Sequence, residues 1–386
     1  MRTTLALALA GLFLAGCMAP ASTSTTGSTG PGGSDAVPAG SKAPAFDVKA
    51  FLEDHAAFVR KDNERAANKP THEAARADLM ARFESYGLTT YRQNFTTGGL
   101  VQANIIGIKW GAVRDQWVVV GGHYDTITDD CLVGTVPVAN QPNPCALRTL
   151  SQGAYDDGSG TMLSVHLGKA FANVTTYYTM AFVAYDGEER GTQGAAAFVQ
   201  EFVRGPAQGE NLTQPFGAIK VVTDVDLDMV GINWPGTWNP INVMTNSEAL
   251  YKETVAKTNA MGFPNGQIVR KNSLQLGSSD YARFWEVTPE DGGPIPTIFL
   301  ISAFEEVAPS TTVPVDVHTP APAGVYPFWH LEDTIETMRF MAGDPPADAL
   351  PHPHTEAGFQ AAGDLAAHLL YLAAAHPNPG FDAVVK

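Results

Sequence analysis

The sequence predicts an α/β fold in a single domain, with a mostly parallel mixed sheet sandwiched between helices. Three observations predict it. Five short apolar runs rich in β-branched and aromatic residues, Ile105–Ile108, Trp117–Val120, Tyr178–Ala184, Val221–Leu227 and Thr297–Ile301, read as strands buried on both faces. Helix-like segments separate several of them, and that alternation favours a parallel sheet covered by helices. Beyond about residue 43 no repeat or second low-complexity linker divides the chain.

Composition agrees with a folded core. The 386 residues are 44% hydrophobic and 17% charged, which is ordinary globular usage and not the signature of a disordered chain. A formal charge of −16 excludes a phosphate-backbone binder, which needs a basic face to release counterions.

Taken in order, residues 1–16 open with Met1-Arg2, run through the apolar stretch Leu5–Leu14 and end in Leu14-Ala15-Gly16-Cys17. A positive start, an apolar core too short to span a bilayer and small residues at the cut indicate a secretion signal. The Leu-Ala-Gly-Cys ending resembles the lipobox of bacterial lipoproteins. That resemblance implies cleavage before Cys17, lipidation at Cys17 and anchoring to a membrane without crossing it. Met18, where Asp would favour the inner membrane, implies the outer membrane facing the periplasm. Residues 17–43, rich in Ser, Thr, Gly, Pro and Ala, read as a flexible tether, leaving 44–386 as the folded domain. Cys131 and Cys145 lie in a loop rich in Pro, Asn and Gly. In an exported chain the expectation for them is a disulfide, and closing a loop of that length is worth on the order of 3 kcal/mol.

Within the domain, Thr71–Tyr86 follows Pro70, stops at Gly87 and places Ala75, Leu79 and Phe83 on one stripe, the pattern of an amphipathic helix. Gly160–Ala172 and Thr192–Val203 read as helices between strands, and Glu356–Ala375 as a closing helix. The polar residues gather at strand carboxyl ends, where open α/β sheets bind ligands. Gly122-His123-Tyr124-Asp125 follows the Trp117 strand, Asp186-Gly187-Glu188-Glu189 the Tyr178 strand, and Asp228 the Val221 strand. With Asp156-Asp157 in GAYDDGSG and His330 in FWHLEDT, five clusters offer imidazoles and carboxylates with no cysteine among them. Such donors suit a cation like Zn²⁺ held by nitrogen and oxygen.

These motifs resemble the co-catalytic zinc exopeptidases typified by bacterial leucyl aminopeptidase, whose relatives include glutamate carboxypeptidase and glutaminyl cyclase. The resemblance covers nearly the whole chain after the tether, with Asn104-Ile105-Ile106-Gly107 and Ser279-Asp280-Tyr281 as weaker echoes, and it implies a zinc-aminopeptidase-like fold holding two Zn²⁺ ions. By position it makes His123 a metal ligand with Asp125 behind it, Asp156 the carboxylate shared by both metals, and Asp157 its partner across a cis peptide. It makes Glu189 and Asp228 further ligands and Glu188 the general base, acting on a hydroxide bridged between the zinc ions. Three ligand carboxylates and that hydroxide balance four positive charges. The last ligand has two candidates. His330 is preferred for its preceding aromatics and the Asp333-Thr334 that follows; His318, in Val317-His318-Thr319-Pro320, is the alternative.

The activity implied is removal of N-terminal residues from peptides. Glutaminyl cyclisation, suggested by Trp329-His330, and carboxypeptidase action are alternatives of the same fold, with Lys271 and Arg283 as candidate cations for a substrate carboxylate. A receptor-like protein with a decayed site is the alternative outside catalysis. No Gly-x-Ser-x-Gly elbow or Gly-Lys-Ser/Thr phosphate loop is present.

Overall fold

The computed structural model describes residues 42–61, 64–67, 69–127, 151–205, 215–232, 241–262, 269–271, 279–302, 333–344 and 352–381. All belong to one compact unit, Ala36–Lys386. The signal segment, Cys17, the expected Cys131–Cys145 disulfide, His318 and His330 lie outside the described residues.

The chain enters through two helices, α1 (Val48–Lys61) and α2 (Pro70–Ser85). Three strands follow, β1 (Thr89–Thr97), β2 (Leu100–Lys109) and β3 (Val113–His123). Helix α3 (Gly158–Phe171), β4 (Tyr178–Tyr185), the short α4 (Gln193–Phe198) and β5 (Lys220–Leu227) come next. Then come β6 (Asn242–Thr245), α5 (Glu248–Ala260), β7 (Val269–Lys271), α6 (Tyr281–Trp285) and β8 (Thr297–Ile301). Helices α7 (Ile335–Met341) and α8 (Pro353–Ala375) finish the domain.

Among the described residues one eight-stranded sheet runs β1-β2-β4-β3-β5-β8-β6-β7. Its centre, β4, β3, β5 and β8, is parallel, while β2 lies antiparallel to β1 and β4, and β6 antiparallel to β8. All five apolar runs form strands of this sheet. Val118 and Val120 pack into the larger core, with Phe51, Leu163 and Leu365; Trp117 and Val119 face the other, with Phe198, Phe202 and Phe284. Burial on both faces is what made these strands read as continuous apolar runs.

Two departures have plain physical causes. The strand β1, TTYRQNFTT, lies at the sheet edge with Gln93 alone buried and Phe95 half-buried, so it carries no apolar run. The expected Thr192–Val203 helix is α-helical only through Phe198 and continues as a π-helical stretch, Val199–Arg204.

The chain adds β4 to one side of β3 and then crosses to add β5 on the other, so the carboxyl end of β3 is a switch point where a crevice opens. Helix α3 reaches that crevice because Gly160 lacks a side chain. A Cβ there would stand 2.0 Å from the Leu227 carbonyl oxygen of β5.

Candidate metal centre

His123 ends β3 at the switch point and is 1% exposed. Its backbone N–H donates to Asp157 Oδ2 at 3.1 Å. The same carboxylate accepts from Gly160 N–H at 2.7 Å, capping α3, and from Met229 N–H at 3.2 Å beyond β5. One buried acid therefore ties the ends of β3 and β5 to the start of α3. The Asp156–Asp157 peptide is cis.

The structure brings His123, Asp156 and Asp228 together, with one potential ligand atom from each lying within 4.8 Å of the others. His123 Nε2 stands 3.0 Å from Asp156 Oδ1 and 3.7 Å from Asp228 Oδ1. Its Nδ1 faces Asp125, 3.1 Å from the carbonyl and 3.5 Å from the carboxylate, so the proton belongs on Nδ1 and Nε2 is left to a ligand. Asp228 Oδ1 is buried without a hydrogen-bond partner among the described residues. A buried carboxylate oxygen in that state is costly unless a cation meets it. Burial works against a charged imidazole at His123, yet Asp125, Asp156 and Asp228 together hold its pKa well above the ordinary value. An orphaned oxygen, a surplus of carboxylates and a nitrogen–oxygen donor set fit a divalent zinc ion.

Glu188 and Glu189 follow β4 on a turn that opens at Gly187, whose φ of 73° suits glycine. The Asp125 carboxylate accepts both of their backbone N–H groups, at 3.1 and 3.4 Å. Glu188 Oε2 reaches 3.9 Å from His123 Nε2. Burial raises the Glu188 pKa well above the usual carboxylate range; His123 opposes this, while Glu189, Asp280 and Asp228 add to it. A carboxyl group so placed is suited to passing protons. Glu189 is not one of the three clustered residues, and its Oε1 accepts from Ile127 N–H at 3.3 Å.

Other residues take places that local sequence did not disclose. The Asp333 carboxylate accepts from Tyr155 N–H at 2.9 Å and Asp156 N–H at 2.8 Å, clasping the segment that carries Asp156. Asp333 directly precedes Thr334, whose side chain caps α7. Asp280, from the Ser279-Asp280-Tyr281 echo, is fully buried and lies close enough to Glu188 to raise its pKa. Arg283 donates to Thr192 Oγ1, the Gly191 carbonyl and Glu286, so its guanidinium is engaged. The side chain of Lys271 is outside the described residues. His166 and His368 face Asp54 and Glu253, away from the three-residue group.

The sequence profile described as Peptidase family M28 matches residues 104–336. A "probable zinc metalloprotease" of Pyrenophora tritici-repentis is 29% identical over 140 residues, covering 35% of this chain and 26% of that protein. The chain thus spans about a quarter of the length of the curated relatives it matches. In fold it is similar to a zinc aminopeptidase from Bacillus subtilis, with a TM-score of 0.58 and 15% identity over 86% of this chain and 96% of that one. It is likewise similar to a glutaminyl cyclase from Porphyromonas gingivalis, with a TM-score of 0.56 and 17% identity over 84% and 98% of the two chains.

Proposed function

This chain belongs to peptidase family M28, and we propose that it is a zinc-dependent exopeptidase that removes N-terminal residues from peptides. The observation that carries the proposal is the buried His123–Asp156–Asp228 group with Glu188 beside it. In this reading His123, Asp228 and the shared Asp156 would hold one zinc ion, and Asp156, Glu189 and His330 a second. Zinc, when bound, supplies Lewis acidity toward the scissile carbonyl and the attacking water. Glu188 Oε2 takes the proton from that water and returns it to the leaving amine. Asp125 fixes the tautomer of His123 and the backbone of both glutamates at once.

Local charge favours an amine over a carboxylate as the substrate terminus. Asp125, Asp228, Asp280, Glu188 and Glu189 surround the site, and the guanidinium of Arg283 is already engaged. The test is a panel of amino-acid p-nitroanilides beside N-acetylated peptides with free C-termini, on zinc-replete protein. Cleavage of the anilides alone is the expected result, and cleavage of the blocked peptides alone overturns it.

Glutaminyl cyclisation is the second reading, because the three clustered residues account for one metal and that reaction needs one. A glutaminyl-peptide assay with metal stoichiometry separates the two. Export and lipid anchorage at Cys17 belong to the same proposal, supported by the Leu14-Ala15-Gly16-Cys17 pattern. Fatty-acid labelling that persists in Cys17→Ser would refute the anchorage.

A further inference from the structure

Four buried side chains from three separate segments of the chain meet just behind the metal centre. His72 and Arg76 lie one turn apart on α2 and so share a face. Tyr124 stands between His123 and Asp125, and Asp186 immediately precedes Gly187-Glu188-Glu189. All four are no more than 4% exposed.

Their polar atoms form one connected knot. His72 Nε2 donates to Asp186 Oδ1 at 2.8 Å, while its Nδ1 accepts from Arg76 at 3.1 Å. Arg76 donates to Asp186 Oδ2 at 2.7 Å and, through Nε, to the Tyr124 hydroxyl at 2.7 Å. That hydroxyl lies 2.7 Å from Asp186 Oδ2 and 2.8 Å from the Ala103 carbonyl of β2. Asp186 Oδ2 also accepts the Ala103 N–H at 2.8 Å. The His72 ring stacks on Tyr124, with centroids 5.3 Å apart.

We propose that His72, Arg76, Tyr124 and Asp186 are positioning residues that set the distance between the His123–Asp125 end of β3 and the Glu188–Glu189 turn. On the other side of the same gap, the Asp125 carboxylate holds the backbone of Glu188 and Glu189. The two strand ends are therefore fastened twice, through different side chains. A planar guanidinium can bridge the phenol and the carboxylate together, which a lysine ammonium does less well. None of the four is among the clustered donors. The assignment rests on the peptidase reading for its kinetic part only.

The test compares Tyr124→Phe and Arg76→Lys with the unaltered protein by melting temperature, by the visible spectrum of the cobalt-substituted protein, and by kcat and KM. Tyr124→Phe removes one oxygen and keeps the ring on His72. Both variants are expected to fold, with kcat lowered about tenfold, KM little changed and the cobalt bands shifted. If the unaltered protein cleaves no peptide, the peptidase reading fails while the cobalt spectra still decide the positioning role. Unchanged spectra and unchanged kcat in folded variants would overturn the assignment. Failure of both variants to fold would overturn it too, leaving the knot a fastening of the fold alone.

Discussion

Asp125 Oδ1 accepts the backbone N–H of Glu188 at 3.1 Å and stands 3.5 Å from His123 Nδ1. One carboxylate oxygen thus serves the imidazole and the glutamate turn together, while the second, Oδ2, accepts from Glu189 N–H. Asp125→Asn puts an amide where the second oxygen accepts from Glu189. Zinc affinity is expected to fall by roughly 10- to 100-fold, measured by competition with a chromogenic chelator.

Glu188 faces the clustered donors without belonging to them. Glu188→Gln keeps the shape and removes the proton acceptor. Peptide hydrolysis is expected to drop by about 10²- to 10⁴-fold, with zinc content by atomic absorption unchanged. A rate near that of the parent would remove Glu188 from the mechanism.

Zinc also links to stability, because the buried donors converge only in the folded chain. Zinc at one hundred times its dissociation constant is expected to stabilise the protein by about 2.7 kcal/mol. Differential scanning fluorimetry of chelated and zinc-replete protein reads this as a rise in Tm. Asp228→Asn should remove most of the rise.

His55 gives a pH dependence unconnected with metal. It is fully buried, its Nε2 donates to the Ala154 carbonyl at 2.8 Å and its Nδ1 has no partner among the described residues. Burial pushes its pKa down to about 3. The unfolded chain therefore binds the proton more readily, so this stability is complete above about pH 6.5 and is lost as pH falls toward 3. The loss by pH 5 is about 2 kcal/mol. His166, lowered by burial to about 4, acts in the same direction. His55→Gln keeps a donor for Ala154 without titrating, and urea unfolding at pH 7 and pH 5 should show a smaller difference than in the parent.

Gly160→Ala drives a methyl group into the Leu227 carbonyl, and backbone cannot step aside as a flexible side chain can. Overpacking of this kind is expected to cost about 1 to 3 kcal/mol or more, read from the urea midpoint. The Asp157 cap moves with it, so zinc affinity should fall in the same variant.

What could be read from sequence divides along one physical line. Central strands were legible because burial on both faces leaves an unbroken apolar run, as in Trp117–Val120. The four-residue β6 and the three-residue β7 are too short to carry such a signal, and the edge strand β1 is largely polar. His123, Asp156 and Asp228 could be singled out because each stands beside its own strand or helix end. Asp186 meets Arg76 across 110 positions of sequence, and Asp333 meets Asp156 across 177. Neither pairing leaves a local pattern, since only the folded topology makes those residues neighbours.

The Asp333 clasp also bears on when the centre can be completed. A growing chain has made His123, Asp156, Glu188 and Asp228 well before it makes residue 333, so until then the Tyr155 and Asp156 amides wait for their acceptor. Closing a contact of that length is slow compared with forming a helix or hairpin. A chain ended before residue 333 would retain most of the donors yet lack the carboxylate that seats Asp156.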